Sequence, residues 1–417
     1  MATSYLKLGY LSPDANSHTF PFNNNILVDF YGTQVLDSST ATSKTLVIHG
    51  MQTGQLESTF SVETIDTSGS KVSINPTKAF KPGELIQVTI TPELLTSSGS
   101  TALAEPYVYQ FRAGVNAGHG YFSDSGQALG DGSFDVELGD LDGDGDLDAI
   151  DVDYSGLKTV WLNDGSGNFT DSGQDFFSFY NSFYSTNIVS DDVELGDLDG
   201  DGDLDVMVAN YIDSPSSRDF NIDYLDLGNE VWLNDGSGNF TESRQRFRGL
   251  FNTQDVELGD LDGDGDLDAI VASGSTLALD KVRYQVNTVW LNDGLGNFTD
   301  GIGNFTDSGQ ALGTSKSFDV ELGDLDGDGD LDAFFANYIQ ANTVWLNDGS
   351  GNFTDSGQAL GSSYSLDVEL GDLDGDGDLD AMVANNSKAN TVWLNDGNGN
   401  FTNSGQALGS SWSYGVE

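Results

Sequence analysis

One acidic segment recurs five times in this chain and limits what the chain can fold into. The segment reads DVELGDLDGDGDLDA, with small variations, and begins at Asp135, Asp192, Asp255, Asp319 and Asp367. In every copy alternate residues over a nine-residue stretch are aspartates, so five carboxylates share a peptide that is short even when extended. Their repulsion opposes folding unless a cation offsets it. Calcium is suited to this, since it takes six to eight oxygen ligands and tolerates irregular geometry.

The spacing of the aspartates is more specific than their charge. If the first aspartate is position 1, positions 1, 3, 5 and 9 offer side-chain oxygens, position 7 offers a backbone carbonyl, and a glycine at position 6 permits a sharp turn. The spacing thus predicts about five calcium sites. Their candidate ligands are Asp140, Asp142, Asp144, Asp146 and Asp148; Asp197, Asp199, Asp201, Asp203 and Asp205; Asp260, Asp262, Asp264, Asp266 and Asp268; Asp324, Asp326, Asp328, Asp330 and Asp332; and Asp372, Asp374, Asp376, Asp378 and Asp380.

The loop departs from an EF-hand after position 9. An EF-hand needs a bidentate glutamate at position 12, and the five copies carry none there: the residues are Asp151, Val208, Val271, Phe335 and Val383. The sequence that follows, such as AMVAN after Asp380, is apolar and favours a strand rather than an amphipathic helix. We therefore expect a calcium loop within a β-hairpin. A solvated acidic turn is the plainer alternative.

The charge of the chain is concentrated in the repeat region. The formal net charge is −52 over 417 residues, but residues 1–115 contribute only −3 and the remainder contributes −49. A field of this sign disfavours nucleic acid and anionic membrane as partners. The chain has no cysteine for disulfides. It also has no apolar run long enough to span a bilayer and no recognisable signal peptide at its start, so we expect no direct membrane insertion.

The repeat itself predicts the architecture. Successive copies of position 1 are 57, 63, 64 and 48 residues apart, and one unit contains four short strand patterns separated by turn-forming Asp, Asn and Gly. Four antiparallel strands per unit of this length make one propeller blade. We expect recurrent aromatic residues to pack between blades: Trp161, Trp232, Trp290, Trp345, Trp393, Phe169, Phe240, Phe353 and Phe401, with Phe298 or Phe305 in the third copy.

The unit DLDGDGDLDAIVA followed by NTVWLNDGSGNFT resembles the FG-GAP or VCBS repeat, the calcium-loop blade of the integrin alpha-subunit propeller and of many large bacterial surface proteins. The resemblance covers about residues 116–417. It implies a β-propeller whose loops bind calcium, an extracellular setting and, commonly, adhesion or recognition.

The ends of the repeat region are incomplete. Residues 118–130 match only the last strand of a unit, and SWSYGVE at the end matches only the start of one. We therefore expect five complete blades plus fragments in an open or imperfectly closed ring, with the chain cut short at its C-terminus.

Residues 1–115 belong to a different domain. Short alternating apolar runs such as KTLVIHG, LIQVTI and YVYQFRAG read as strands of a β-sandwich. Their order resembles the bacterial Ig-like domain of the SbsA type, which serves as a spacer or surface-layer component. The predicted fold is thus all-β: an Ig-like β-sandwich at 1–115 and a propeller at 116–417.

The sequence gives no sign of catalysis. The histidines His18, His49 and His119 are scattered, and we interpret them as surface or strand residues. The common hydrolase and phosphate-binding motifs are absent, and the clustered acids are assigned to metal loops rather than to a glycosidase pair. We therefore expect a protein that is not an enzyme.

A partner site must break the symmetry of the repeat, and two departures from it do so, with the insertion from Tyr211 to Leu227 as a third candidate. The first, DFFSFYNSFYS, is aromatic and includes Phe179 and Tyr180; the second, SRQRFRG, holds Arg244, Arg246 and Arg248. These residues are candidate contacts for a cell-surface or matrix protein or glycan. The plainer interpretations are packing of the aromatics beneath their own loop and pairing of the arginines with nearby aspartates.

Three functions remain open from the sequence. The first is a calcium-stabilised extracellular or cell-surface module for adhesion or recognition. The second is a purely structural, calcium-stiffened segment of a large surface protein. The third is a polysaccharide-degrading enzyme built on a calcium-bearing propeller.

Overall fold

A computed structural model describes residues 5–18, 20–21, 24–65, 69–115, 123–130, 132–153, 156–177, 187–213, 228–243, 245, 247, 252–278, 281–284, 286–294, 305–362, 364–410 and 412–416. At 175, 177, 187, 188, 212, 213, 275–278 and 281–284 it describes the backbone alone. The fold is almost entirely β, as predicted, and includes one short 3-10 helix at Ser38–Thr40.

The N-terminal region is a sandwich of two four-stranded antiparallel sheets. Its strands are β1 (Lys7–Ser12), β2 (Ile26–Tyr31), β3 (Leu46–Gly50), β4 (Gly54–Gln55), β5 (Ser58–Thr64), β6 (Gly69–Pro76), β7 (Leu85–Ile90) and β8 (Tyr107–Arg112). The first sheet has the order β1-β2-β6-β5 and the second β4-β3-β7-β8. Val28, Ile74, Ile48, Val88 and Phe111 are among the side chains buried between the sheets.

Five four-stranded blades follow. Their strands are β9 (Ser133–Gly139), β10 (Asp148–Asp153), β11 (Leu157–Asn163) and β12 (Phe169–Phe177); β13 (Asn187–Gly196), β14 (Asp205–Asp213), β15 (Glu230–Asn234) and β16 (Phe240–Glu242); β17 (Thr253–Gly259), β18 (Asp268–Ser273), β19 (Ser275–Ala278), β20 (Lys281–Tyr284), β21 (Thr288–Leu291) and β22 (Thr306–Asp307); β23 (Lys316–Gly323), β24 (Asp332–Tyr338), β25 (Thr343–Leu346) and β26 (Thr354–Asp355); and β27 (Tyr364–Gly371), β28 (Asp380–Asn386), β29 (Asn390–Leu394) and β30 (Thr402–Leu408). Each blade is an antiparallel sheet with its strands in chain order, and β19 and β20 form a hairpin inserted in the third.

The blades pack through apolar side chains. The cluster between the first and second blades contains Ile150, Val193 and Trp232, and equivalent clusters follow along the chain. Phe305 is 3% exposed and takes the place of the blade phenylalanines in the third unit, whereas Phe298 lies outside the described residues. The predicted packing between blades is confirmed for Trp232, Trp290, Trp345, Trp393, Phe240, Phe305, Phe353 and Phe401. Trp161 and Phe169 of the first blade are half-buried and belong to none of these clusters.

The described blades form an open arc. The innermost strands β9, β13, β17, β23 and β27 pack in chain order. Val136 on β9 is 52% exposed, while its counterpart Val193 on β13 is fully buried. The outer face of the first blade is therefore open to solvent, as the blade count predicts.

The two fragments flanking the blades make the contacts that their sequences predict. At one end, Phe169 N donates to Gln127 Oε1 at 2.8 Å. The same kind of bond joins Phe401 N to Gln358 Oε1 between the last two blades. At the other end, Val416 N donates to Asp367 Oδ1 at 3.0 Å, the bond that joins each innermost strand to the next.

The sandwich covers the loop end of the propeller. Along β7, Ile86 and Val88 face the sandwich core, so alternation turns Gln87 and Thr89 to the opposite face. Both polar residues are fully buried, because that face lies on the propeller. Val108 of β8 joins an apolar cluster of the third and fourth blades. The outer surface of the second sheet is thus an interface between the domains.

Candidate metal centres

Each acidic loop connects the first two strands of a blade. The first loop runs from Asp140, after β9, to Asp148, which begins β10. The glycine at position 6 has a φ of 98° at Gly145 and 103° at Gly265, and the other three copies are similar. A side chain would strain this left-handed conformation, so the glycine lets the loop fold back on itself.

Three carboxylates converge in every loop. One oxygen each from positions 1, 3 and 9 lies within 4.8 Å of the others. The five triads are Asp140, Asp142 and Asp148; Asp197, Asp199 and Asp205; Asp260, Asp262 and Asp268; Asp324, Asp326 and Asp332; and Asp372, Asp374 and Asp380. The loops therefore bring together three of the five aspartates that the sequence assigns to each site.

The carboxylate at position 9 is also a structural bridge. In the fourth blade, Asp332 Oδ2 accepts from Leu325 N at 3.0 Å and Asp332 Oδ1 accepts from Asn347 N at 2.8 Å. The same pair of bonds recurs in the other four blades. Position 9 is fully buried in each copy. It ties the start of the loop to the end of the third strand.

The side chain at position 7 points elsewhere. A Cβ placed on Gly349, in the turn after the third strand, would lie 2.5 Å from Asp330 Oδ2, and Gly165 stands in the same relation to Asp146. This side chain packs against the turn glycine and is not part of the triad. The equivalents are Asp203, Asp266 and Asp378. A backbone carbonyl ligand at position 7 stays a prediction.

The position 5 carboxylate is not part of the triad. Asp201 Oδ1 accepts from Asp203 N at 3.0 Å, and Asp144, Asp264, Asp328 and Asp376 make the same turn bond. The position 5 carboxylates thus shape the loop, and their role as metal ligands stays a prediction.

Burial raises the pKa of the position 9 carboxyls. In the second and fourth loops burial is the main cause and neighbouring aspartates add to it, while backbone donors oppose it; the pKa of Asp205 rises to about 9 and that of Asp332 to about 8. Such groups resist ionisation unless a positive charge joins them. A divalent cation would supply that charge.

The donor set fits calcium. All the converging atoms are hard carboxylate oxygens, which calcium and magnesium prefer to softer ligands. The small irregular loop has its position 9 carboxylate fully buried, and in the second, third and fourth loops the position 1 carboxylate is buried as well. Such a loop fits a cation that tolerates irregular geometry better than one that demands an octahedron. The triads at positions 1, 3 and 9 would hold such an ion.

The five centres differ in exposure. In the third loop Asp260 is 1% exposed, whereas Asp374 in the fifth loop is exposed. Thr89 of the sandwich donates to Asp260 Oδ2 at 2.6 Å. The third centre is therefore enclosed between the domains.

Sequence reasoning missed the asparagine that joins consecutive blades. Asn395 Nδ2 donates to the carbonyl of Leu325, in the fourth loop, at 2.8 Å, and Asn234, Asn292 and Asn347 reach back in the same way. The signal was visible in the recurrent WLND segment, where an Asn sits at a fixed distance after the Trp.

The candidate ligand contacts Phe179, Tyr180, Arg244, Arg246 and Arg248 lie outside the described residues, as does His119. Phe176, the first aromatic of its insertion, is buried, with its ring centroid 4.7 Å from that of Trp232. This residue packs between blades. His18 is exposed, and His49 lies buried in β3, in keeping with a surface and a strand residue.

Comparison with known proteins places both regions in families. A model described as FG-GAP-like repeat matches residues 140–208, 216–271, 324–383 and 372–416, together more than half of the chain. A model described as Bacterial Ig-like domain matches residues 2–113. No curated protein sequence matches this chain.

Solved structures show distant likenesses. The BP39L lectin from Burkholderia pseudomallei is 11% identical with a TM-score of 0.44, over 79% of this chain and 84% of the lectin. A structure of BBS1N in complex with ARL6DN, soaked with lead, is 9% identical with a TM-score of 0.39, over 68% of this chain and 69% of that one. These likenesses are too distant to assign a ligand. In the described part of the chain, no helix has the length and apolar character needed to cross a membrane.

Proposed function

Because the chain belongs to the FG-GAP-like repeat family and carries a bacterial Ig-like domain, we propose that it is a calcium-binding adhesion or recognition module acting outside the cell or at its surface. The observation that carries the proposal is the convergence of three carboxylate oxygens in all five loops. Both domain types are typical of extracellular or surface proteins. The calcium ions would stiffen the blades, and the insertions would supply the contacts that distinguish one partner from another.

The partner that we propose is a protein or glycan of the cell surface or matrix. Support comes from the composition of the insertions: aromatic rings at Phe179 and Tyr180 suit sugar faces or apolar anchors, and Arg244, Arg246 and Arg248 suit carboxylates. We propose further that the chain is not an enzyme, since its clustered acids belong to the metal loops.

A binding assay tests this proposal. Fluorescently labelled protein is incubated with bacterial cells, matrix proteins and a glycan panel, in calcium and in chelator. We expect binding in calcium, loss in chelator, and a large loss when Phe179, Tyr180 and the three arginines are replaced by alanine. Tyr10→Ala, an exposed tyrosine on the sandwich, is the control. Equal binding by the two variants would contradict the partner assignment.

A purely structural role is the second candidate. The observation that favours it is the enclosure of the third loop by the sandwich, which leaves that site no free surface for a partner. Unchanged binding in every arm of the assay, with calcium still taken up, would select this role.

A further inference from the structure

Three of the metal loops are hydrogen-bonded to the sandwich through the same atom. In the third loop the carbonyl oxygen of the position 6 glycine, Gly265, accepts a hydrogen bond from His49 Nε2 at 2.9 Å. In the fourth loop the carbonyl oxygen of Gly329 accepts one from Val108 N at 2.7 Å. In the first loop the equivalent carbonyl, of Gly145, accepts from Lys81 Nζ. This ammonium also lies 3.5 Å from Asp140 Oδ2 of the triad, so a cation in the first loop would compete with it. The donors come from β3, from β8 and from the turn before β7.

Within the residues that the structure describes, the second loop meets the sandwich without a hydrogen-bond donor to this carbonyl. A Cβ on Gly54 would lie 2.8 Å from the carbonyl oxygen of Gly202, again the glycine at position 6. Gly54 has a φ of 71°, so glycine serves both its backbone conformation and this close approach. Among the described residues the fifth loop shows no such contact at Gly377.

The third loop has the most complete interface. Besides the bond at Gly265, Thr89 Oγ1 donates to Asp260 Oδ2 at 2.6 Å, and the Gly265 amide donates to the same oxygen at 3.0 Å. His49 and Thr89 are 2% and 0% exposed. Since a carbonyl oxygen can only accept, His49 carries its proton on Nε2. Buried hydrogen bonds of this kind are costly to leave unmade.

The glycine at position 6 takes part both in closing the metal loop and in docking the sandwich. Its carbonyl direction depends on the left-handed turn that brings positions 1, 3 and 9 together. A cation that holds the triad closed also holds the carbonyl toward the sandwich, and docking of the sandwich holds the triad closed. Such coupling is reciprocal: each event must strengthen the other by the same factor.

We propose that calcium in the third and fourth loops clamps the Ig-like domain onto the propeller, and that its removal releases the domain. Thr89 and His49 are positioning residues for the third centre: they act on the loop and not on the ion. The fifth loop takes no part in the clamp. The inference rests on the proposed calcium binding and extends it to the relation between the domains.

The distance between the domains tests the clamp. The chain has no cysteine, so nitroxide labels at Ser61→Cys, an exposed residue of β5, and Ser350→Cys, an exposed turn residue of the fourth blade, are unambiguous. Double electron–electron resonance on the full chain should give one narrow distance distribution in calcium and a broad one in chelator. An unchanged distribution in chelator would overturn the clamp, provided that calorimetry on the same sample shows calcium leaving. Absence of calcium binding in calorimetry would instead overturn the proposed function.

Variants distinguish release of the Ig-like domain from a loosening of the whole propeller. Asp260→Asn with Asp262→Asn should broaden the distribution in calcium, whereas Asp372→Asn with Asp374→Asn should leave it narrow. Thr89→Val should weaken calcium binding at the third centre roughly tenfold, the effect of losing one hydrogen bond to a charged group. Thr64→Val, an exposed threonine of β5, is its control. Equal broadening by the two loop variants, or equal affinity for the two threonine variants, would contradict the proposal.

Discussion

Asn347 of the fourth blade donates its Nδ2 hydrogen to the carbonyl oxygen of Leu261, within the third metal loop, at 2.8 Å. Each blade thus holds the loop of the blade before it. We expect Asn347→Ala to lower the free energy of unfolding by about 1–3 kcal/mol, because it removes two hydrogen bonds of this buried amide, to the Leu261 carbonyl and from Asp348 N, each of which contributes about 0.5–1.5 kcal/mol. Chemical denaturation measures this. Asn398→Ala, an exposed turn asparagine bonded only to Asp396 in the described chain, should change little, and equal losses would contradict the account.

The bridging carboxylate at position 9 should matter even without metal. Asp332→Ala leaves the buried amides of Leu325 and Asn347 without an acceptor, at about 1–3 kcal/mol for each group. We therefore expect a loss of about 2–6 kcal/mol on denaturation in chelator. Asp328→Ala, at exposed position 5, should cost much less under the same conditions. If the two variants lose the same stability in chelator, position 9 serves only as a metal ligand.

A glutamine in the outer strand links neighbouring blades. Gln358 Oε1 accepts from Phe401 N at 2.8 Å, and its Nε2 donates to the carbonyl of Gly399. Gln358→Ala should cost about 1–3 kcal/mol, at about 0.5–1.5 kcal/mol for each bond. Gln406, the same residue in the last blade, is exposed, and no following blade lies beside it in the described chain. Gln406→Ala is therefore a matched control, and melting temperatures that fall equally would count against the link.

The pH dependence of stability should report on the glutamates of the innermost strands. Glu257 lies on β17, and burial, then Glu137 and Glu369, raises the pKa of Glu257 to about 8, while Arg112 opposes the rise. Folding thus favours the protonated form. This contribution is complete below the unfolded pKa, near 4.3, and is lost as the pH rises through about 8.

Glu257→Gln should remove that loss. In saturating calcium, we expect the melting temperature of the parent to fall by a few degrees more than that of the variant between pH 5 and pH 8. This difference corresponds to a change of about 1–2 kcal/mol in the free energy of unfolding. Glu93→Gln, an exposed glutamate of the sandwich, should track the parent. Parallel curves for all three proteins would contradict the assignment.

The blades and their loops were predictable because both depend on local sequence. The strand that begins at Asp380 follows from its apolar run, and the glycine at position 6 has one conformational reason to recur. The hydrogen bond from Val416 N to Asp367 Oδ1 follows from the repeat once the blades are placed in order.

The domain interface was not predictable. Gln87 and Thr89 alternate with apolar residues on β7, a pattern typical of a strand with one solvated face, and only the tertiary structure shows that this face is covered. The contact of His49 with the third loop could not be predicted, because its partner Gly265 is distant in sequence. The spacing of the aspartates also does not reveal that the position 7 side chain points away from the triad. Its orientation depends on the glycine in the turn after the third strand.

We expect each acidic loop to hold one calcium ion. Isothermal titration calorimetry of chelator-stripped protein with calcium, with magnesium as the control, tests this directly. The stoichiometry should be near five per chain, one for each carboxylate triad, with little response to magnesium. A folded protein that takes up no calcium would contradict this expectation.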